Sequence, residues 1–514
     1  MKKAKMKNYI NLWRESCQIA RDFINAPSLA KAFICALFLY AIALFALIRG
    51  DIYYYDDWIN SVNDGVWNWS RHLSNVILGG IASFGKGTLD SSPLLQIMGV
   101  CFVVISSLIL LYLIRGKFDL IGIIASLPLG LSPHFLQNLS FKFDSLTMGM
   151  ALFFAIAPFL FQKNMRVFCA VSVILLLCAF MCYQAANGTY IILSLYFAFS
   201  AYFLQNRSFK QSAGFLGICA VNLIIATLIY GLMINDSVMG IGNSYASHEM
   251  LPLNLSFFPA LAQNLATYAT TIFSDLQSTA FIWLVAINCA IFVINIAIHA
   301  NRPKMLSIFS ATAFLALGFA LSFGLYLVLQ KPLFAPRAFY GFNAFVAIIG
   351  IANVSLLQLD SIKSTHSAPP RLQKFIYYAS FVVAIIMAYF LISFANIYGN
   401  ALKKQDEYLD FRARLLLNDF GKVIPHNPNI MINIEAFVND NHPVAQRFAD
   451  KYGNISRIIP RTFMATHLLG GYESSRMLGE FCEVAKEQLD NEVVLKNAYH
   501  TIKRVKNCYI VTMQ

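Results

Sequence analysis

Eleven apolar runs, each long enough to cross about 30 Å of hydrocarbon, divide residues 32–397: 32–48, 94–114, 119–136, 145–161, 167–183, 188–204, 213–234, 278–298, 305–329, 338–357 and 375–397. No single water-soluble core hides that much apolar surface. Hydrophobic residues make up 58% of the 514, charged residues 13%, and mean hydropathy is +0.59, which places the chain among all-α polytopic membrane proteins. Pro128, Gly130 and Pro133 interrupt the third run, a break that membranes tolerate where neighbouring helices satisfy the freed backbone.

The net charge of +13 forms no basic stripe of the kind nucleic acid requires; it reports orientation. With the N-terminus inside, 18 Lys and Arg fall on the inner side, in the N-terminal segment and alternate loops. The opposing loops hold six: Arg49, Arg71, Lys86, Lys142, Lys331 and Arg337. The positive-inside bias therefore predicts a cytoplasmic N-terminus and an extracytoplasmic C-terminus. Residues 1–31 read as a basic, amphipathic interfacial segment, residues 32–399 as the membrane region, and residues 400–514 as a small α+β domain outside the cytoplasm. In that domain helices are expected at 401–420, 443–452 and 474–490, with β-like stretches at "NIMINIEAF", "ISRIIP" and "CYIVTM". Eight of the ten cysteines lie in or beside apolar segments and read as small packed side chains. Cys482 and Cys508 occupy the polar C-terminal region, where a disulfide is expected.

The outer face collects few polar groups. "YYYDDW" supplies Asp56 and Asp57 just after the first run, followed by Trp67, Trp69 and Arg71. "SFKFDS" supplies Lys142 and Asp144, "CYQAANG" supplies Tyr183 and Gln184, and "QKPLFAPR" supplies Lys331 and Arg337; a loop is expected over 235–277. Cations at headgroup depth suit an anionic lipid phosphate. Transfer of a sugar from a polyprenyl phosphate to a hydroxyl needs one carboxylate to take the acceptor proton and positive groups to stabilise the departing phosphate. Neighbouring aspartates diverge by about 100° on a helix, so one is assigned as base, with a preference for Asp56, and the other as a supporting group. Each of these residues also has a plainer explanation: Asp56 and Asp57 as a helix start, Asp144 as a helix cap, Trp67 and Trp69 as interfacial aromatics, and Arg71, Lys331 and Arg337 as headgroup anchors. No metal site is expected, since His248 and Glu249 lack a partner at ligand spacing. Walker, dinucleotide and nucleophile-elbow motifs are missing as well, and no cofactor is expected.

At "DDW", "VWNWSRHLSN", "FKFDSLTMGMA" and "CYQAANGTYI" the chain resembles the polytopic O-antigen glucosyltransferases of serotype-converting phages and their bacterial relatives, over roughly residues 30–400. The resemblance implies a GT-C-like fold, undecaprenyl-phosphate-glucose as donor, the O-antigen of lipopolysaccharide as acceptor, and reaction at the periplasmic face of the inner membrane. By matched position it implies a catalytic pair at Asp56 and Asp57, a loop arginine at Arg71, and a second polar motif at Lys142 and Asp144. Ser70 stands where that family usually has glycine. The resemblance also implies two functional partners, a donor synthase and a flippase. The alternatives are another polyprenyl-phosphate-sugar transferase with a different sugar or acceptor, such as lipid A or protein, a flippase or transporter, and a non-catalytic scaffold. Ionisable groups are nearly missing from the middle of the runs, which argues against ion-coupled transport.

Overall fold

The computed structural model describes residues 17–55, 57–62, 71–82, 89–233, 249–356, 370–423, 431–435, 441–460, 492–505 and 508–513. Its long helices, in chain order, are α1 (Leu29–Gly50), α2 (Leu94–Arg115), α3 (Ser145–Ile156), α4 (Met165–Cys182), α5 (Asn187–Phe203), α6 (Phe209–Met233), α7 (Phe257–Leu276), α8 (Ala280–His299), α9 (Lys304–Leu321), α10 (Tyr340–Leu356), α11 (Pro370–Val423) and α12 (Pro443–Tyr452). Among the described residues, seven of these (α1, α2, α4, α6, α8, α9 and α11) are long and apolar enough to cross a membrane.

The bundle forms around α10. Sixteen of its 17 residues are buried, as expected of a helix that is apolar on all sides. It packs on α5 and α8, while α1 lies against α2 and α11, α3 against α2, and α4 against α6. Polar residues inside this core pair with one another: Asn353 donates to the Asn288 carbonyl at 2.9 Å, and Asn295 donates to the Asn353 side chain at 3.1 Å. The interrupted third run forms two short helices, Leu120–Ser126 and Pro128–Leu131, and a third, Leu136–Ser140, begins at its last residue. Asp119 caps the first by accepting from the Gly122 amide.

Three expectations are corrected. The span 235–277 is not wholly a loop, because α7 occupies its second half. Its buried residues Asn264, Tyr268, Ile272 and Asp275 recur at helical spacing, and their polarity kept the stretch from reading as an apolar run. Asn264 donates to the Leu327 and Leu329 carbonyls at 2.9 Å, which fastens the helix to the segment after α9. Second, "ISRIIP" does not form a strand; Gly453–Ile458 is a 3₁₀ helix whose last carbonyls are taken by tyrosine side chains. Third, the helix expected at 401–420 is a continuation of α11, whose 54 residues extend about 80 Å at 1.5 Å per residue, far more than one crossing uses.

Beyond the bundle α11 supports a four-stranded sheet in the order β1-β4-β3-β2, with β1 Met431–Glu435, β2 Glu492–Lys496, β3 His500–Val505 and β4 Cys508–Met513. β1 runs parallel to β4, and the other neighbours are antiparallel. Leu409, Ala413, Leu416 and Phe420 of α11 pack on Ile502, Tyr509, Val511 and Met513. β1, β4 and α12 match expected elements. The expected helix 474–490 and Cys482 lie outside the described residues.

Candidate functional site

The turn after α1 is shaped by an unusual backbone. Tyr55 adopts φ 50°, a left-handed conformation that costs a non-glycine residue about 1–2 kcal/mol. It lets the Asp57 amide reach the Tyr54 carbonyl at 3.1 Å. Tyr55 is held by an edge contact with Tyr54 and by stacking on Phe141. Asp57 itself is fully buried. One carboxylate oxygen accepts from the Tyr54 and Lys142 amides, both at 2.9 Å, and the other from the Phe143 amide at 3.4 Å. The carboxylate thus ties the tyrosine loop to "FKFD", a stretch distant in sequence.

Lys142 is almost wholly buried. Its ammonium lies 2.7 Å from Asp51 and 3.3 Å from Asp90, over the Tyr53 ring at 3.8 Å. Burial raises the Asp90 carboxyl, but hydrogen bonds from Tyr53, the Ser92 amide and Lys142 outweigh it and hold the group below the ordinary carboxylate range. The Lys142 charge therefore meets two carboxylates within its own wall of the site.

Arg71 begins the short helix His72–Ile77. Its guanidinium lies 4.6 Å from the Tyr183 ring centroid and 3.8 Å from Asp144; its Nε is buried with no hydrogen-bond partner among the described residues. Asp144 occupies the N-cap position of α3 but makes no capping hydrogen bond. Tyr183 ends α4, and its ring packs against that of Tyr340 at 5.6 Å. The next residue, Gln184, donates to the Tyr230 hydroxyl at 2.7 Å. Arg337, in the 3₁₀ turn Pro336–Ala338, lies 5.9 Å from the Phe141 ring. Arg337 joins this region through its carbonyl, which accepts from Asn138 at 3.1 Å; Asn138 also donates to the hydroxyl of Tyr340, the ring packed on Tyr183. Lys331 is exposed, just beyond the bridge between Met250 and Leu329.

The structure thus brings together Asp57, Arg71, Lys142, Asp144, Tyr183, Gln184 and Arg337. Asp56, Trp67, Trp69 and Cys482 lie outside the described residues, and Cys508 is placed only as the first residue of β4. Several participants went unrecognised in the sequence. Gln137 and Asn138 bind the Arg337 backbone, and their signal is a polar pair directly after an apolar run. Asp275 joins His134 at 3.1 Å and receives both arms of the Arg457 guanidinium at 2.9 and 2.7 Å. Tyr54 and Tyr398 donate to the Ile458 carbonyl at 2.5 and 3.3 Å. The segment before residue 460 is therefore fastened to the same end of the bundle as the site.

Carboxylates, arginines and tyrosine faces thus share one end of an apolar bundle. A relative from Salmonella phage P22, described as an uncharacterized 55.3 kDa protein in the gtrB 5′ region, is 25% identical over 228 residues, 44% of this chain. The match spans 46% of that relative, less than half its length. No solved structure matches the chain. The family profile of glucosyl transferase GtrII matches residues 44–348, more than half of the chain, a range that includes Asp57, Arg71, Lys142, Asp144, Tyr183, Gln184 and Arg337. The chain belongs to the glucosyl transferase GtrII family.

Proposed function

We propose that this glucosyltransferase moves glucose from undecaprenyl-phosphate-glucose to a hydroxyl of the O-antigen repeat of lipopolysaccharide. The reaction is placed at the periplasmic face of the bacterial inner membrane, with the N-terminus cytoplasmic and residues 400–514 periplasmic. What carries the reading is the meeting of Asp57, Arg71, Asp144 and Tyr183 at one end of the bundle, with Arg337 tied to them through Asn138 and Tyr340, in a chain of this family.

In the proposed step Asp56 takes the proton of the acceptor hydroxyl, whose oxygen attacks the anomeric carbon as the bond to the phosphate oxygen breaks. Single displacement inverts that carbon. Polyprenyl phosphate leaves with its charge stabilised by Arg71 and Arg337, and the step as written needs no cofactor. The Asp57 carboxylate already accepts three backbone hydrogen bonds, which suits the supporting member of the pair. Trp67 and Trp69 are assigned to sugar stacking, Lys331 to the donor phosphate at headgroup depth, and Cys482 with Cys508 to a disulfide. A donor synthase and a flippase supply the substrate. The test is transfer of radiolabelled glucose from the polyprenyl-phosphate donor to lipopolysaccharide by the full-length protein in vesicles. Asp56→Asn is expected to slow transfer by about 10²-fold or more without changing the amount inserted; a wild-type rate overturns the base assignment.

A further inference from the structure

The Arg337 peptide is gripped from both sides by two consecutive side chains. Its N–H donates to the Gln137 carboxamide oxygen at 2.9 Å, and its carbonyl accepts from the Asn138 carboxamide at 3.1 Å. Gln137 and Asn138 are 2% and 1% exposed. Buried carboxamides in an apolar bundle are costly unless hydrogen-bonded, and the NH2 group of each of these two also donates to a different part of the site, while the Asn138 carboxamide oxygen has no hydrogen-bond partner among the described residues. Gln137 donates to the Tyr54 hydroxyl at 3.2 Å, and the Tyr54 amide is bound by Asp57. Asn138 donates to the Tyr340 hydroxyl at 3.0 Å, and Tyr340 packs on Tyr183 beneath Arg71. Side chains one residue apart on a helix diverge by about 100°, which is why a consecutive pair can serve two directions at once.

We infer that Gln137 and Asn138 are positioning residues that set the placement of Arg337 relative to the aspartate loop, so that its guanidinium meets the departing phosphate. The inference rests on the role proposed above for Arg337. Bidentate recognition of a phosphate depends on the placement of the guanidinium fork. A backbone held at both N–H and C=O supplies that placement in an otherwise irregular turn.

The experiment measures binding of polyprenyl phosphate, the leaving group alone, to full-length protein in nanodiscs, alongside glucose transfer. Gln137→Leu and Arg337→Ala are each expected to weaken polyprenyl phosphate binding about tenfold, and Gln137→Leu to raise the donor KM while leaving the acceptor KM within about twofold. The double variant is expected to bind no more weakly than Arg337→Ala alone, because residues acting through one group are not additive. Additive losses, or equal damage to donor and acceptor KM, overturn the inference, as does a wild-type protein that fails to bind polyprenyl phosphate. Binding without glucose transfer sinks the sugar assignment and leaves the clamp standing. If Gln137→Leu does not insert, Gln137→Met and Asn138→Thr carry the same test with smaller perturbations.

Discussion

Asp57 shows how much a single buried carboxylate can organise. Three backbone amides converge on it, and removing the acceptor leaves buried donors unpaired at about 1–3 kcal/mol each. Asp57→Ala is therefore expected to lower the unfolding temperature in detergent and to abolish transfer, whereas Asp57→Asn, which keeps one carboxamide oxygen, loses less stability. Asp56→Asn is expected to slow transfer by about 10²-fold or more with the unfolding temperature unchanged. Matching thermal profiles for Asp57→Ala and wild type would reject the anchoring role. At this scale the sequence was informative about residue identity and less so about aim. Arg71, Asp144 and Tyr183 were selected from separate loops and they meet. Lys142 was selected on the same grounds, yet it faces Asp51 and Asp90. Hydropathy places a lysine at a depth and leaves its direction open, and the exposed Asp51 and the loop residue Asp90 carry no motif that would announce a partner. The Gln137–Asn138 pair directly follows an apolar run, but its targets lie in a turn about 200 positions away.

Among the elements, the crossing of α2 and α3 places Asp144, because α3 begins one residue after it. A Cβ added to Gly149 would lie 2.5 Å from the Gly99 carbonyl oxygen, and one added to Gly99 would lie 2.5 Å from the Ser145 oxygen. Backbone cannot yield as a flexible side chain does, so the two helices approach closely only through small residues. Gly149→Val is expected to separate them and destabilise the protein by about 1–3 kcal/mol. Because the displaced helix carries Asp144 away from Arg71, transfer should fall further than the thermal shift alone accounts for. Wild-type transfer and unfolding temperature together would show that the crossing tolerates bulk. Long apolar helices were legible because the membrane demands uninterrupted hydropathy over their length. α7 was not, since its buried stripe includes Asn264 and Asp275, whose hydrogen bonds go to loops distant in sequence. β2 and β3 were missed for a related reason: "EVVLK" and "HTIKRV" mix charges with β-branched residues, and only the packing of Ile502 on α11 shows which face is inside.

In the whole molecule, α11 joins the apolar bundle to the C-terminal sheet without a break, and the segment after α12 returns to the site. The lysine and arginine count grouped the loops of Arg71, Lys142 and Arg337 on one side, and these loops do gather at one end with the C-terminal segment against them. Arg457 carries much of that attachment through Asp275 and the Phe334 carbonyl. Burial raises the Asp275 carboxyl, but His134 and Arg457 outweigh it and keep the group below its ordinary value. Truncating Arg457 leaves the buried carboxylate its His134 contact but removes both bonds to the C-terminal segment, so Arg457→Ala is expected to expose residues 441–460 to limited proteolysis while the bundle stays intact; an unchanged digestion pattern would show that the tyrosine contacts suffice. The sheet has a separate pH dependence. His500 is fully buried and lies 3.1 Å from Asp419. Burial pulls its imidazole below the ordinary value of 6.5, Asp419 opposes that shift, and Arg412 reinforces it. A depressed folded value means that the unfolded chain takes up the proton first as pH falls, so the contribution of His500 is fully present above about pH 6.5 and is lost as pH drops through the folded value. The unfolding temperature of the C-terminal region should therefore fall between pH 7.5 and 5 in wild type and change less in His500→Gln, which titrates no proton there. Parallel pH profiles for the two proteins would assign the acid sensitivity to other groups.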